Sequence, residues 1–358
     1  EPGKKLNVCE VDVSDPCPGE VRVQMKAAGV CHTDLSVMTG HLKAPIPGIL
    51  GHEGAGVVVD VGEGVTSVNV GDHIIPLWRL SCGSCEYCSE SRPALCPVGT
   101  EIRASGRLQD GTSRFRYKGQ EILHFAGVSA FSNFTVLPEG SVLKIPKDLP
   151  FELAALLGCS VITGVGSVIN TANLKPGRTV AVFGVGGVGV NIVQGAVLSG
   201  AKQIIAVDRY DMRLEQAREF GATHTVNASK ENPVKTIHDL TQGRGIDFAF
   251  EAVGLPVTIQ QAYDSLAKRG TAIVVGIPAN GAKVTLTALP FAFEERVLTG
   301  SLYGSAVPRN DIPRMIDLYK AGKLELNKLL TKSYPIEQIN EAYEAMEAGE
   351  TLRSVVTF

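Results

Sequence analysis

Val180-Ala-Val-Phe-Gly184-Val-Gly186-Gly187-Val-Gly189 is an apolar strand-like run that passes directly into a Gly-x-Gly-x-x-Gly turn. In such a turn the first glycine permits the sharp strand-to-helix bend, the second lets a pyrophosphate approach the backbone, and the third packs the helix closely on the sheet. The helix N-terminus then offers free N–H groups and the positive end of its dipole to the anion. A second apolar run, Ile204-Ile-Ala-Val207, follows after a helix-length segment and ends at Asp208. A carboxylate roughly 20 residues past the glycines is placed to accept hydrogen bonds from adenosine ribose hydroxyls and to repel a 2′-phosphate. The expectation is therefore NAD rather than NADP, although Arg209 beside it argues slightly the other way.

Outward from this turn, strands and helices alternate. Strands are expected at 179–183, 203–208, 223–226, 246–250, 271–275 and 298–302, which predicts a doubly wound parallel sheet. Before it, short strands broken by glycine and proline predict an irregular, partly antiparallel barrel. After it, helices near 311–321 and 336–348 and a last strand at 354–358 abandon the alternation and belong with the first part. The expected organisation is an α/β chain with a discontinuous catalytic domain, 1–159 and 302–358, into which a dinucleotide-binding domain, 160–301, is inserted.

The chain has 358 residues, enough for two cores. A net charge of −3 supplies no basic field for nucleic acid or an anionic membrane, so a small-molecule partner is expected. No apolar run of roughly 20 residues is expected to escape interruption by glycine, proline or charge, so no membrane span is expected. The sequence opens at Glu1 without a signal peptide, as a removed or unrecorded start would leave it.

Four of the eight cysteines, Cys82, Cys85, Cys88 and Cys96, fall within fifteen positions. Three-residue spacing in a tight loop suits a closed, tetrahedral, structural zinc site better than disulfides or an iron–sulfur cluster, and implies a reducing, cytoplasmic setting. Cys31, His52 and Cys159 are dispersed. Two thiolates and an imidazole would neutralise Zn²⁺ and leave a fourth position open, but spacing alone does not bring these three together.

Several motifs in order, Gly29-Val-Cys-His-Thr-Asp34, Gly51-His-Glu-Gly-Ala-Gly56, the four-cysteine lobe, Leu157-Gly-Cys159, the Gly184–Gly189 turn and Leu352-Arg-Ser-Val-Val, span essentially the whole chain. Together they resemble the zinc-dependent alcohol dehydrogenases of the medium-chain dehydrogenase/reductase superfamily. The resemblance implies a GroES-like catalytic domain, a Rossmann cofactor domain, two zinc ions per chain and NAD. Cys31, His52 and Cys159 match the catalytic zinc ligands, and Cys82, Cys85, Cys88 and Cys96 the structural ones. Thr33 matches the hydroxyl that passes on the alcohol proton; Asp34 and Glu53 match carboxylates behind the ligands. His32 and Arg353 match positions on the pyrophosphate, Thr163 and Val188 positions beside the nicotinamide, and Arg213 one near the adenosine. Trp78, Phe125 and Ile277 match positions lining the substrate cleft. Relatives associate through the edge strand of the cofactor sheet, which implies a homodimer or homotetramer.

Two departures bear on substrate. Many relatives place a histidine three positions after the relay hydroxyl; here it is Ser36. Glutathione-using relatives carry acidic residues after the relay motif and an arginine four positions past the last structural cysteine, where this chain has Gly40-His-Leu-Lys-Ala44 and Thr100. The expected function is NAD-dependent oxidation of medium-chain or aromatic primary alcohols, reversible to aldehyde reduction. The alternatives are a thiol-dependent formaldehyde dehydrogenase and a non-catalytic zinc and nucleotide binder, the last disfavoured because Cys31, Thr33, His52 and Cys159 are all retained.

Overall fold

The computed structural model describes residue 3 and residues 5–358. The chain divides into two compact units, one of residues up to Cys159 with Val307–Asp317 and Leu326–Phe358, the other of Ser160–Ala306 with Leu318–Glu325. The return to the first unit thus comes at Val307, and the eight residues from Leu318 cluster with the second.

The first unit is built on the strand Glu20–Val30, whose alternate side chains Val21, Val23 and Met25 are fully buried. Antiparallel to it lie Ala55–Val61, Phe134–Pro138 and the C-terminal Arg353–Thr357. His73–Pro76 and Val142–Ile145 extend this seven-stranded sheet on one side and Leu330–Pro335 on the other. A four-stranded sheet, in the order Asp12–Val13, Phe115–Tyr117, Gln120–His124 and Gly48–Ile49, stands beside the cysteine lobe in sequence. The stretch 82–125 has little sequence periodicity, yet it contains a nine-residue helix, Pro97–Ser105, closed by Gly106 at φ +67°. A left-handed residue there ends a helix at no steric cost only if it is glycine.

The second unit is a six-stranded, wholly parallel sheet: Thr179–Phe183, Gln203–Asp208, His224–Asn227, Ile246–Glu251, Leu266–Val274 and Val297–Gly300. In chain order these run 3-2-1-4-5-6 across the sheet. The order reverses beside Thr179–Phe183, and a crevice opens there at the carboxyl ends of the strands. All five residues of that strand are buried, as expected of a central parallel strand covered on both faces. At the opposite edge, Val297–Gly300 is largely exposed, as is Phe293 just before it.

Phe151–Thr171 is a continuous helical stretch of 21 residues with mean hydropathy 1.8, long and apolar enough to cross a membrane by composition. Gly158, Gly164 and Gly166 do not interrupt it, because close neighbours replace their missing side chains; a Cβ on Gly164 would lie 2.6 Å from the Val188 carbonyl oxygen. Its apolar window is 83% buried inside the protein, which is the setting of a core helix.

His124 is fully buried against Phe115, 4.7 Å between ring centroids, and its Nε2 accepts the Arg114 N–H at 3.3 Å. Burial first, then the Arg114 charge, push its pKa down to about 3. An unfolded histidine titrates near 6.5, so between about pH 6.5 and about pH 3 the unfolded chain binds more protons and stability falls as pH falls, by up to ~1.4 kcal/mol per pH unit. Replacing His124 by Gln should flatten urea midpoints against pH across this window. An equal slope in both proteins would show that other groups dominate.

Candidate active site

Cys31 follows the last residue of the strand Glu20–Val30 and caps the helix His32–Met38 in an extended conformation, φ −128° and ψ 147°. The helix therefore begins immediately behind a buried thiol. His32 at its first position is exposed, Thr33 is half-buried and Asp34 is completely buried. Asp34 is held on two sides: its Oδ1 accepts the Gly51 N–H at 2.9 Å, and its Oδ2 lies 3.0 Å from His52 Nδ1. That approach sets the carboxylate against Nδ1 and leaves Nε2 on the other side of the ring, 3.9 Å from Glu53 Oε1. Gly51 has φ +88°, and a Cβ there would sit 2.6 Å from the Phe131 backbone nitrogen, so only glycine brings His52 to this place.

Cys31, His52, Glu53 and Cys159 are all buried, and one ligand atom from each lies within 4.8 Å of the others. Sequence spacing gave no reason for Cys159 to join them. It lies in a π-helical turn, Leu157–Val161, inside the long helix. Such turns carry an extra residue and recur at functional sites. The Cys159 thiol donates to Cys31, which drives Cys31 well below the usual thiol range, with His52 helping; the same bond, and burial, drive Cys159 well above it. Burial lifts the Glu53 pKa to about 7 against the opposing charge of Arg353, whose Nη2 donates to Glu53 Oε2. Two thiols, one correctly turned imidazole and a carboxylate, dry and converging, form a donor set that fits zinc.

The edges of Trp78 and Phe125 approach the His52 ring, at 6.0 Å and 83° and at 5.9 Å and 79°. Both belong to the first unit. Ile277 is on the second unit and is 53% exposed.

In the lobe, Cys82 and Cys88 have their sulfurs 4.0 Å apart, and all four cysteines have sulfurs within 4.8 Å. Tetrahedral zinc with bonds of about 2.3 Å separates sulfurs by about 3.8 Å, whereas a disulfide requires about 2.05 Å. Backbone N–H groups of Cys82 and Cys85 point at Cys96 Sγ and Cys82 Sγ, each at 3.3 Å, as thiolates require. Hydrogen bonds, first from Ser84 and then from Cys85, lower the Cys82 pKa to about 6.

In the second unit the three glycines divide the work as the turn demands. Gly184 has φ +84°, nothing stands within 4 Å of where a Cβ would be on Gly186, and a Cβ on Gly189 would meet the Gly184 carbonyl oxygen at 1.9 Å. The helix Gly187–Leu198 starts there, with Val188 in its first turn. Asp208 Oδ2 accepts the Val185 N–H at 3.0 Å, tying the end of its strand to the turn. Arg213 Nη1 stands 4.0 Å from that carboxylate, and both Arg209 and Arg213 lie over the Tyr210 ring. Thr163 is buried next to Gly164, which touches the Val188 carbonyl. Arg353, by contrast, is 6% exposed and committed to Glu53 within the first unit.

Residues 17–147 match the alcohol dehydrogenase GroES-like domain and residues 187–321 the zinc-binding dehydrogenase domain. The chain belongs to the zinc-dependent alcohol dehydrogenases. A class-3 alcohol dehydrogenase from Cereibacter sphaeroides is 42% identical over 100% of this chain and 98% of its own length. An S-(hydroxymethyl)glutathione dehydrogenase from Paracoccus denitrificans is 41% identical over the same shares. Among solved structures, the benzyl alcohol dehydrogenase from Acinetobacter calcoaceticus superposes with a TM-score of 0.92 at 33% identity, covering 97% of this chain and 94% of that one. Members of this family use zinc and a nicotinamide cofactor, and the two cysteine constellations and the glycine turn are those of such an enzyme.

Sequence reasoning missed three groups. Tyr343 is a buried phenol whose hydroxyl has no hydrogen-bond partner among the described residues and which feels the charges of Asp34, Cys31 and Glu53. Glu251 ends a central strand of the cofactor sheet fully buried, its Oε1 accepting the Val253 and Gly254 N–H groups. Arg79 is buried beside Trp78. Each depends on long-range packing, and no local pattern announces it.

Replacing Cys96 by Ser should reduce zinc from two equivalents to one by metal analysis and lower the melting temperature. Loss of both ions together, or of neither, would contradict separate sites.

Proposed function

We propose that this chain is an NAD-dependent dehydrogenase that oxidises a hydroxymethyl group carried by a thiol, R–S–CH₂–OH, formed from formaldehyde. Hydride passes from the carbon to NAD⁺ and the hydroxyl proton leaves, giving R–S–CHO, NADH and H⁺. The observation that carries this reading is the name of the relatives: class-3 alcohol dehydrogenases and S-(hydroxymethyl)glutathione dehydrogenases, 41–42% identical across the whole chain. They favour it over the medium-chain alcohol expected first from the sequence.

That primary-alcohol reading stands second, on one observation. Trp78 and Phe125 wall the His52 side of the site with apolar rings, and the benzyl alcohol dehydrogenase is a near structural neighbour. The two share every step at the reacting carbon. They differ only in what lies beyond it.

The roles assigned to this chain follow. Cys31, His52 and Cys159 would hold zinc, which when bound would supply Lewis acidity at the substrate oxygen. Asp34 fixes the His52 ring, and Glu53 lies behind the ligands with Arg353. The Thr33 hydroxyl takes the substrate proton; Ser36 lies three residues on, on the same helix face. Gly184, Gly186, Gly187 and Gly189 receive the pyrophosphate together with His32, Asp208 receives the adenosine ribose, and Arg213 sits near the adenosine. Thr163 and Val188 flank the nicotinamide, and Ile277 joins the substrate cleft. Asp208 at its strand end favours NAD; the two arginines over Tyr210 are the opposing feature. A homodimer or homotetramer pairing along Val297–Gly300 would cover that exposed edge.

Initial rates of NADH formation should be greater with formaldehyde plus a thiol than with hexanol, benzyl or cinnamyl alcohol. Higher rates with the free alcohols would move the second reading to first place, and no rate in zinc-replete protein would remove both. Substituting Ser36 by His should alter the pH profile of substrate oxidation, because a titrating group would then stand one turn beyond Thr33. An unchanged profile would mean that protons leave by another route.

A further inference from the structure

The helix Ile339–Glu347 buries Ile339, Ala342, Tyr343 and Met346, one face at helical spacing. Three of these are apolar, and a phenylalanine at 343 would fill the same space. Tyr343 instead carries a hydroxyl into the interior, with 2% of the residue exposed and no hydrogen-bond partner for its oxygen among the described residues. Leaving such a group unpaired costs about 1–3 kcal/mol. Packing does not explain the hydroxyl, and an orphaned polar atom in a native interior calls for a partner.

The surroundings of Tyr343 are those of the buried cluster. It packs in one core with Val30, the residue before Cys31, and with Leu35, the residue after Asp34. The Phe131 ring meets the Tyr343 ring edge-on, with centroids 6.3 Å apart at 81°. The Phe131 backbone nitrogen is also the atom that confines Gly51, whose N–H holds Asp34 Oδ1. Burial first, then the charges of Asp34, Cys31 and Glu53 against that of Arg353, hold the phenol well above its usual range, so it stays a neutral O–H donor. A hydroxyl dipole turns in such a field, its hydrogen towards the negative side. Asp34 has an atom to receive it: Oδ2 stands 3.0 Å from His52 Nδ1 without the geometry of a hydrogen bond, and both atoms are unsatisfied among the described residues. A carboxylate held at one oxygen alone still turns about its last side-chain bond, where the torsion is soft.

We infer that Tyr343 is a positioning residue for the catalytic metal centre: its hydroxyl donates to Asp34 Oδ2, directly or across one buried water, and so fixes the carboxylate that orients the His52 ring. Asp34 is then held at both oxygens, by the Gly51 N–H and by the phenol. Its plane is set, and with it the direction in which His52 Nε2 faces. Removing outer groups of this kind changes metal affinity by roughly 10–100-fold. The inference rests on the reading of Cys31, His52 and Cys159 as a zinc site and is independent of which hydroxyl compound is oxidised.

The test follows zinc release from the fully loaded enzyme to an excess of the chromogenic chelator pyridylazoresorcinol, a readout that needs no turnover. Wild type should release its zinc in two phases, and Cys96→Ser, which removes the lobe zinc, tells them apart. Tyr343→Phe keeps the ring and loses only the hydroxyl. It should speed the catalytic-site phase about tenfold and leave the four-thiolate phase unchanged. With cobalt in the catalytic site, its visible absorption bands should shift in the same variant. In an Asp34→Asn background the loss of the hydroxyl should have little further effect, because the phenol acts through that carboxylate. Release and cobalt bands equal to wild type in Tyr343→Phe would overturn the inference, as would an effect that persists undiminished in Asp34→Asn. Acceleration of both phases together would also overturn it, by reducing Tyr343 to a support of the core. A wild-type enzyme that holds only the lobe zinc would sink the metal-site reading, and the inference with it.

Discussion

A cluster of ionisable side chains buried away from water is the constraint on which the catalytic unit depends. Cys31, His52, Glu53 and Cys159 converge within 4.8 Å, with Asp34 and Arg353 packed behind them. Placing such groups in a dry interior is unfavourable unless charges and hydrogen bonds close on one another. The surrounding fold is arranged to make them close. The strand Glu20–Val30 ends where Cys31 is needed, Gly51 turns His52 inward, and a Cβ on Gly29 would meet Glu53 Oε2 at 2.2 Å. The glycines flanking this cluster are therefore part of its electrostatics, since a larger residue at either place would push a charged group out of register with its partner.

The cofactor unit obeys a simpler rule. A parallel sheet buried on both faces must reverse its strand order somewhere, and the loops on either side of the reversal diverge. The three glycine roles read from the sequence appear as one positive φ, one open position and one close carbonyl contact. That is why this unit was legible almost residue by residue: its signals are local, spanning a strand, a turn and the helix that follows. The six strands are found within a few residues of their expected bounds, the largest difference being the longer start of Leu266–Val274.

The catalytic unit was legible in a different way. Four cysteines at short spacing announce a closed metal site by themselves, but the convergence of Cys31, His52 and Cys159 came only through resemblance, because no periodicity joins positions so far apart. Arg79, Glu251 and Tyr343 were invisible for the same reason. A single arginine after a tryptophan carries no sign that it will be buried over that ring once the chain has folded. The apolar run at 151–171 keeps its glycines inside a helix, because in a tightly packed helix glycine lets neighbouring backbones approach.

The π-helical turn at Leu157–Val161 has a consequence for phase. Each residue of a regular helix advances about 100° around the axis, so residues four apart lie almost above one another. Cys159 and Thr163 have that spacing, and in a uniform α-helix both would point the same way. The widened turn inserts an offset between them. One continuous helical rod can thereby give Cys159 and Thr163 bearings that a uniform α-helix would not, without a loop between them. Removing a single residue from the turn would re-phase the rest of the rod.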